Sequence, residues 1–257
     1  MTGGLAGDLK GDLEGLGAIV TGSARNIGRA TAIALGEAGA SVLINARNSR
    51  DEAEEAAAAV EKAGGKALLH LCDVSDPAQA TAMIEAAAAA FGRLDILVNN
   101  VGVRRNTTIE QTTDDDWRTV IAGCLDATFY CCRAAVPHLK KNPWGGIVNI
   151  GGVGGHAGVA LRTHVAAAKA GIAGLTGALA AELAPDNITV NCIAPGHIET
   201  TRDGALPQHF QDRHPPLGRA GEPSEIAATA KFLCSPGGRY ITGQVLHVNG
   251  GWYTTIA

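Results

Sequence analysis

Ala18-Ile19-Val20-Thr21-Gly22-Ser23-Ala24-Arg25-Asn26-Ile27-Gly28 is the stretch that decides the fold. Short apolar residues run into a glycine turn, and a helical pattern, Arg29-Ala30-Thr31-Ala32-Ile33-Ala34-Leu35, opens at once. Strand, tight turn and helix start in that order form a phosphate cradle. Unpaired backbone N–H groups and the positive end of the helix dipole both attract a pyrophosphate. Gly22 and Gly28 carry no Cβ, so a ligand or the first strand can come close. A glycine motif gains meaning from context, and this one sits where a βαβ unit begins.

Working outward, apolar runs alternate with helical patterns. Strands are expected at 40–45, 66–72, 94–98, 146–150, 188–193 and 244–248. Helices are expected at 51–63, from Asp76-Pro77 to Phe91, at 113–141 with a kink at Pro137, and at 163–184. The alternation predicts an α/β fold: a Rossmann-like, doubly wound, seven-stranded parallel sheet with helices on both faces. Its ligand crevice then lies at the carboxyl ends of the strands. A single domain is expected over 1–257, with a flexible tail at 1–14 and a substrate lid at 197–219.

The residue after the second strand meets the adenosine ribose in such folds. An acid there suits NAD, whereas an arginine accommodates the 2′-phosphate of NADP. Here Ala46-Arg47-Asn48 follows the strand without an acid, and Arg25 adds a second charge in the glycine turn. NADP(H) is therefore the expected cofactor, and NAD(H) the less favoured one.

Composition excludes other classes. A net charge of −4 gives no reason to expect nucleic acid or an anionic membrane as partner. The six cysteines (72, 124, 131, 132, 192, 234) lack C-x-x-C spacing and read as buried apolar residues in a reducing compartment. No metal site is expected. The first residues lack the apolar core of a signal peptide, and a cytoplasmic protein is expected.

Taken together, the motifs resemble the short-chain dehydrogenase/reductase family in its single-domain form, from about residue 12 to the C-terminus. Thr21-Gly22-Ser23-Ala24-Arg25-Asn26-Ile27-Gly28 is similar to the family's T-G-x-x-x-G-x-G, with Asn26 for the middle glycine. Asp73-Val74 resembles its adenine-contacting pair, and Asn99-Asn100-Val101-Gly102 its N-N-A-G. Pro195-Gly196-His197-Ile198-Glu199-Thr200 resembles the segment that holds the nicotinamide end. The nearest look is that of bacterial 3-oxoacyl-carrier-protein reductases. The resemblance implies that Gly22, Ser23, Arg25, Asn26, Ile27, Gly28, Arg47, Asn48, Asp73, Val74, Asn100, Val101, Gly102, Ile150, Lys169, Pro195, Gly196, Ile198 and Thr200 bind the cofactor. It also implies a homotetramer or homodimer built through the long helices and the last strand, and a small-molecule substrate.

The family's catalytic set is an asparagine, a serine, a tyrosine and a lysine. Only Lys169 is kept. Val165 stands where the tyrosine belongs, Gly152 where the serine belongs, and Cys124 where the asparagine belongs. Valine has no proton to give and glycine no hydroxyl, while a positioned acid contributes about 10²–10⁴-fold. His164 is the candidate replacement, with Lys169 or a water. It points about 100° around the helix from residue 165, which equally suits a structural or interface histidine. Arg162 and His156 lie in the preceding segment. Arg104 and Arg105 read either as selectors of an acidic substrate or as solvated loop charges. Three functions stay open: an oxidoreductase on a carbonyl/alcohol pair, a cofactor-loaded binding module, and an enzyme of elimination or isomerisation.

Overall fold

The computed structural model describes residues 11–201 and 215–254. Seven parallel strands form one sheet in the order β3-β2-β1-β4-β5-β6-β7. They are β1 (Gly17–Val20), β2 (Ser41–Ala46), β3 (Lys66–Leu71), β4 (Ile96–Asn99), β5 (Gly145–Ile150), β6 (Ile188–Pro195) and β7 (Val245–Val248). The order reverses between β1 and β4, and there the crevice opens. β1, β4, β5 and β6 are buried along their whole length, as continuous apolar runs in a parallel sheet should be.

Helices cover both faces. On one side lie α1 (Asn26–Glu37), α2 (Arg50–Lys62) and α8 (Pro223–Cys234), packed with Val20, Val42, Ile44, Val98 and Val148. On the other lie α3 (Pro77–Phe91), α5 (Ala127–Leu139) and α7 (Thr163–Leu183), packed with Ile19, Leu43, Leu97, Ile147 and Val190. Alternate residues of each strand thus feed opposite cores, the period of two that a strand imposes. By length and composition alone, the helical runs Asp114–Leu139 and Thr163–Asp186 are apolar enough to cross a membrane. Here one face of each lies against the sheet or its neighbouring helix.

Three expectations change. The helix expected over 113–141 is α4 (Asp114–Ile121), a π-helical turn (Ala122–Asp126), then α5. The irregularity comes before Pro137, which α5 carries inside its last turn. Residues 11–14 belong to the domain and not to a tail. Leu13 is wholly buried and its N–H donates to the Ala38 carbonyl at 3.0 Å. Residues 1–10, and 202–214 of the expected lid, lie outside the described residues. Two helices were also not anticipated: α8, opened by Pro223 and a reciprocal Glu222/Glu225 cap, and the single turn α6 (Gly154–Ala157).

Candidate active site

The β1–α1 turn is held from inside by polar groups of its neighbours. Gly22 takes a left-handed φ of +60°. A Cβ on Gly28 would overlap the Gly22 carbonyl oxygen, so α1 can start this close only with glycine there. The Gly22 N–H donates to Asn45 Oδ1 at 3.1 Å, and the Asn45 N–H donates to Ser23 Oγ at 2.9 Å. The Ser23 hydroxyl donates to the Val20 carbonyl, so this fully buried side chain serves the turn and does not face the crevice. Just past β4, the Asn100 amide donates to the carbonyls of Thr21 and Gly22, both at 3.0 Å. Thr21 Oγ1 accepts from the N–H groups of Asn100 and Val101. Asn45, a polar residue ending an apolar strand, is the organiser that motif reading missed. Its signal was the break in the run Val42-Leu43-Ile44-Asn45.

The cradle fits an anion. Arg25, the residue before α1, makes no side-chain cap, and the first turn of α1 holds no acid. Asn26 stands at φ +53° where the family has glycine, a conformation asparagine tolerates. Its amide donates to the Thr201 carbonyl and accepts from the Thr201 N–H at 2.8 Å, tying the turn to the segment after β6. Ile27 is buried and lines the crevice, and Arg25 is exposed.

At the far end of β2, Arg47 is exposed and lies 3.6 Å from Asp73. Asn48 is exposed beside it, while Val74 is buried. Burial works against the Asp73 carboxylate, but two hydrogen bonds from Ser75 and the Arg47 charge outweigh it and hold its pKa below the usual range.

A cavity of about 390 Å³ opens where Asn100, Gly102, Ile150, Lys169, Pro195, Gly196 and Ile198 converge. Lys169 Nζ donates to the Ile150 carbonyl at 2.8 Å. Burial lowers the Lys169 pKa and the nearby Arg104 charge adds to this, while the thiols of Cys124 and Cys192 oppose it. Gly152 and Val165 both line the cavity. A Cβ on Gly152 would meet only Lys169 Cγ, at 3.8 Å. Cys124 is buried in the π-helical turn, where its sulfur accepts from the Val103 N–H at 3.2 Å. Much of the remaining wall is apolar, with Val103, Val153, Val159, Ala160 and Trp252, and Arg104 and Arg162 also line it. Trp252 was not anticipated, because nothing local marks a residue that reaches the cavity from beyond β7.

His164 does not line this cavity. It is wholly buried, both ring nitrogens lack a hydrogen-bond partner, and it lies within electrostatic reach of Asp116 on α4. The turn of helix that carries Val165 and Lys169 to the cavity carries residue 164 toward α4 instead, so the expected exchange of tyrosine for histidine finds no geometric support. His156 and Tyr253 also stay out of the lining. They form a ring cluster with His247, its centroid 4.8 Å from each. Arg105 is drawn aside by Asp116 at 2.6 Å, whereas Arg104 reaches the cavity.

The sequence matches the family described as Enoyl-(Acyl carrier protein) reductase over residues 22–253. It is 37% identical over 239 residues to the 3-oxoacyl-[acyl-carrier-protein] reductase FabG of Staphylococcus aureus, covering 92% of this chain and 97% of that protein. The chain belongs to the short-chain dehydrogenase/reductase family. It is 39% identical over 244 residues to the FabG of Pseudomonas aeruginosa, covering 94% of this chain and 98% of that one. A dehydrogenase/reductase from Sinorhizobium meliloti superposes with a TM-score of 0.91 at 34% identity, covering 96% and 98% of the two chains. A short chain dehydrogenase from Burkholderia cenocepacia, solved in complex with NADP, superposes at 0.88 and 34%, covering 93% and 98%. The seven-stranded Rossmann-like fold is thus shared with solved family members.

Proposed function

We propose that this protein is an NADP(H)-dependent oxidoreductase acting on a carbonyl/alcohol pair, with Lys169 handling the proton that the family's tyrosine handles elsewhere. The observation that carries the reading is the position of Lys169: it lines the cavity where the cofactor motifs end, its ammonium held on the Ile150 carbonyl. The uncapped start of α1, with Gly22, Asn26 and Gly28, would hold the pyrophosphate. Arg47 would exchange its Asp73 contact for the 2′-phosphate, with Arg25 beside it. Asp73 and Val74 would border the adenine. Pro195, Gly196, Ile198 and Thr200 would border the nicotinamide. The NADP complex of the Burkholderia relative supports this choice of cofactor.

When bound, NADPH supplies a hydride to a carbonyl carbon. The oxygen then needs a proton. Among the described residues lining the cavity, Arg104, Arg162 and Lys169 carry charge, and arginine does not give up its proton in proteins. Lys169 is left as donor, directly or through a water, and its lowered pKa makes its ammonium a better acid. Reduction then requires protonated Lys169, so its rate falls as pH rises through a value below the ordinary 10.5. Lys169→Met should remove turnover of carbonyl substrates, followed as NADPH consumption. An unchanged rate in that variant contradicts the role.

The absence of a hydroxyl at Gly152 and Val165 favours one second reading, a cofactor-loaded binding module. Saturable NADPH binding with no consumption across aldehydes and ketones would select it. We also infer a homo-oligomer. Trp117 and Phe129 stand exposed on α4 and α5, and Gly174 and Gly177 of α7 have open space above them, as helices that pack against a second copy require. A monomer in sedimentation at micromolar concentration contradicts this.

A further inference from the structure

The amine of Lys169 has space beside it. Its Nζ donates to the Ile150 carbonyl at 2.8 Å, a neutral acceptor, and among the described residues no carboxylate pairs with it. Ile150 and Gly102, the two residues that meet this nitrogen, line the same cavity as Lys169 itself. A Cβ on Gly102 would stand 3.4 Å from Nζ, with Cys124 Sγ next nearest at 3.9 Å. A carbon atom therefore fits there without overlap, at the separation of about 3–3.5 Å from which bonds form. Gly152 adds no bulk on the lysine stem, since a Cβ there would come only to 3.8 Å of Cγ.

The groups that face this nitrogen come from four elements. The Ile150 carbonyl on β5 accepts from it, and Arg104, after β4, opposes its charge. The thiols of Cys124, in the π-helical turn, and Cys192, on β6, act the other way. Burial pushes the Cys192 thiol up to about 11, so near neutral pH it brings no negative charge to the ammonium. The balance leaves Lys169 with more free amine than an exposed lysine holds. Desolvation in an apolar site and a neighbouring cation are the two devices that make a lysine amine nucleophilic. The walls contributed by Val103, Val153, Val159 and Trp252 suit a hydrocarbon flank beside the reacting carbon.

We propose that Lys169 is also a covalent nucleophile, which condenses with small apolar aldehydes and ketones in this cavity to form an imine. The nitrogen lone pair attacks the carbonyl carbon from the space beside Gly102, a C–N bond forms, and the carbonyl electrons move to oxygen. Two protons leave nitrogen for that oxygen, which departs as water and leaves a C=N bond. No oxidant or reductant is consumed, so this activity does not rest on hydride transfer. The same side chain is an acid when protonated and a nucleophile when it is not.

The full chain, without cofactor, is incubated with 2-butanone and with benzaldehyde in sodium cyanoborohydride, which reduces an imine to a stable secondary amine. Digestion and mass spectrometry then read alkylation at each lysine. Near neutral pH, Lys169 should be alkylated roughly tenfold faster than the exposed Lys62, Lys66 and Lys141, since each unit of lowered pKa is worth tenfold in free amine. The preference should vanish in urea. Gly102→Ala keeps the lysine and fills the approach to it, and should slow the reaction severalfold. Alkylation of Lys169 no faster than that of the exposed lysines overturns the proposal, as does a preference that persists in urea or ignores Gly102→Ala. If Lys169 is trapped while NADPH is never consumed with these carbonyl compounds, the nucleophile stands and the oxidoreductase reading falls. If NADPH is consumed and Lys169 is not trapped, the reverse holds.

Discussion

On one side of the crevice, the turn between β1 and α1 is tied by Asn45, Thr21 and Asn100 through at least six hydrogen bonds of 3.2 Å or less. On the other, the residues between Gly151 and Val165 that line the cavity are glycine, alanine and valine around a single turn of helix, with Arg162 their polar member. The first region is over-determined, since several strands each fix the same few backbone atoms. The second is shaped by small side chains and by Leu161, strained at a φ of +65°, and neither Gly152 nor Val165 brings a hydroxyl to it. A cradle can keep its shape while the neighbouring chemistry changes, because different elements hold the two.

The difference can be broken most severely at Gly28. Gly28→Ala places a methyl group onto the Gly22 carbonyl oxygen and within 2.6 Å of Asn100 Nδ2. Backbone must move, so we expect a loss of about 3 kcal/mol of stability, read by denaturant unfolding, together with loss of NADPH binding. Normal stability and binding in this variant would show that the turn is not over-determined.

The second region is sharpened by restoring what it lacks. Gly152 has room for a side chain at ordinary contact distance, and Val165 lies one helical turn before Lys169. Gly152→Ser with Val165→Tyr should raise turnover of neutral ketones roughly 10²-fold, measured as kcat with NADPH. No gain would mean that the wall, and not the missing hydroxyls, limits the reaction.

The smallest expected effect lies at the border between the two regions. Burial lowers the pKa of His156, and burial together with the charge of His156 lowers that of His247. Between those lowered values and the ordinary 6.5, the unfolded chain binds more protons than the folded one. Stability therefore rises with pH across that window and falls as acid is added. The ring cluster with Tyr253 should loosen first, read as a lower Tm below pH 6.5 and a flatter dependence when His156 and His247 are both glutamine. Carboxylates such as Asp73 titrate below the usual range and so act in stronger acid.

Much of this was legible in the chain itself. Continuous apolar strands and the glycine turn specify a parallel sheet and its crevice, because those patterns follow local periodicity and backbone sterics. That Gly152 and Val165 lie near Lys169 was legible from spacing, and both line the same cavity as that lysine. Other features depend on distant contacts. The π-helical turn at Ala122–Asp126 has no local signature. Asn45 acts across three strands, and Trp252 reaches the cavity from past the last one. His164 suited catalysis by residue type, yet the phase of α7 sends it away from the cavity. Arg104 and Arg105 are indistinguishable by sequence; in the structure Arg105 pairs with Asp116 and Arg104 lines the cavity.

The central claim is that this crevice grips a phosphorylated dinucleotide through the β1–α1 cradle and Arg47. Fluorescence titration of the purified chain with NADPH and with NADH tests it most directly. Saturable NADPH binding in the range of roughly 1–100 μM, about tenfold tighter than NADH and reduced to parity by Arg47→Ala, is the predicted result. Failure to saturate with millimolar NADPH, or a preference for NADH, would contradict the account.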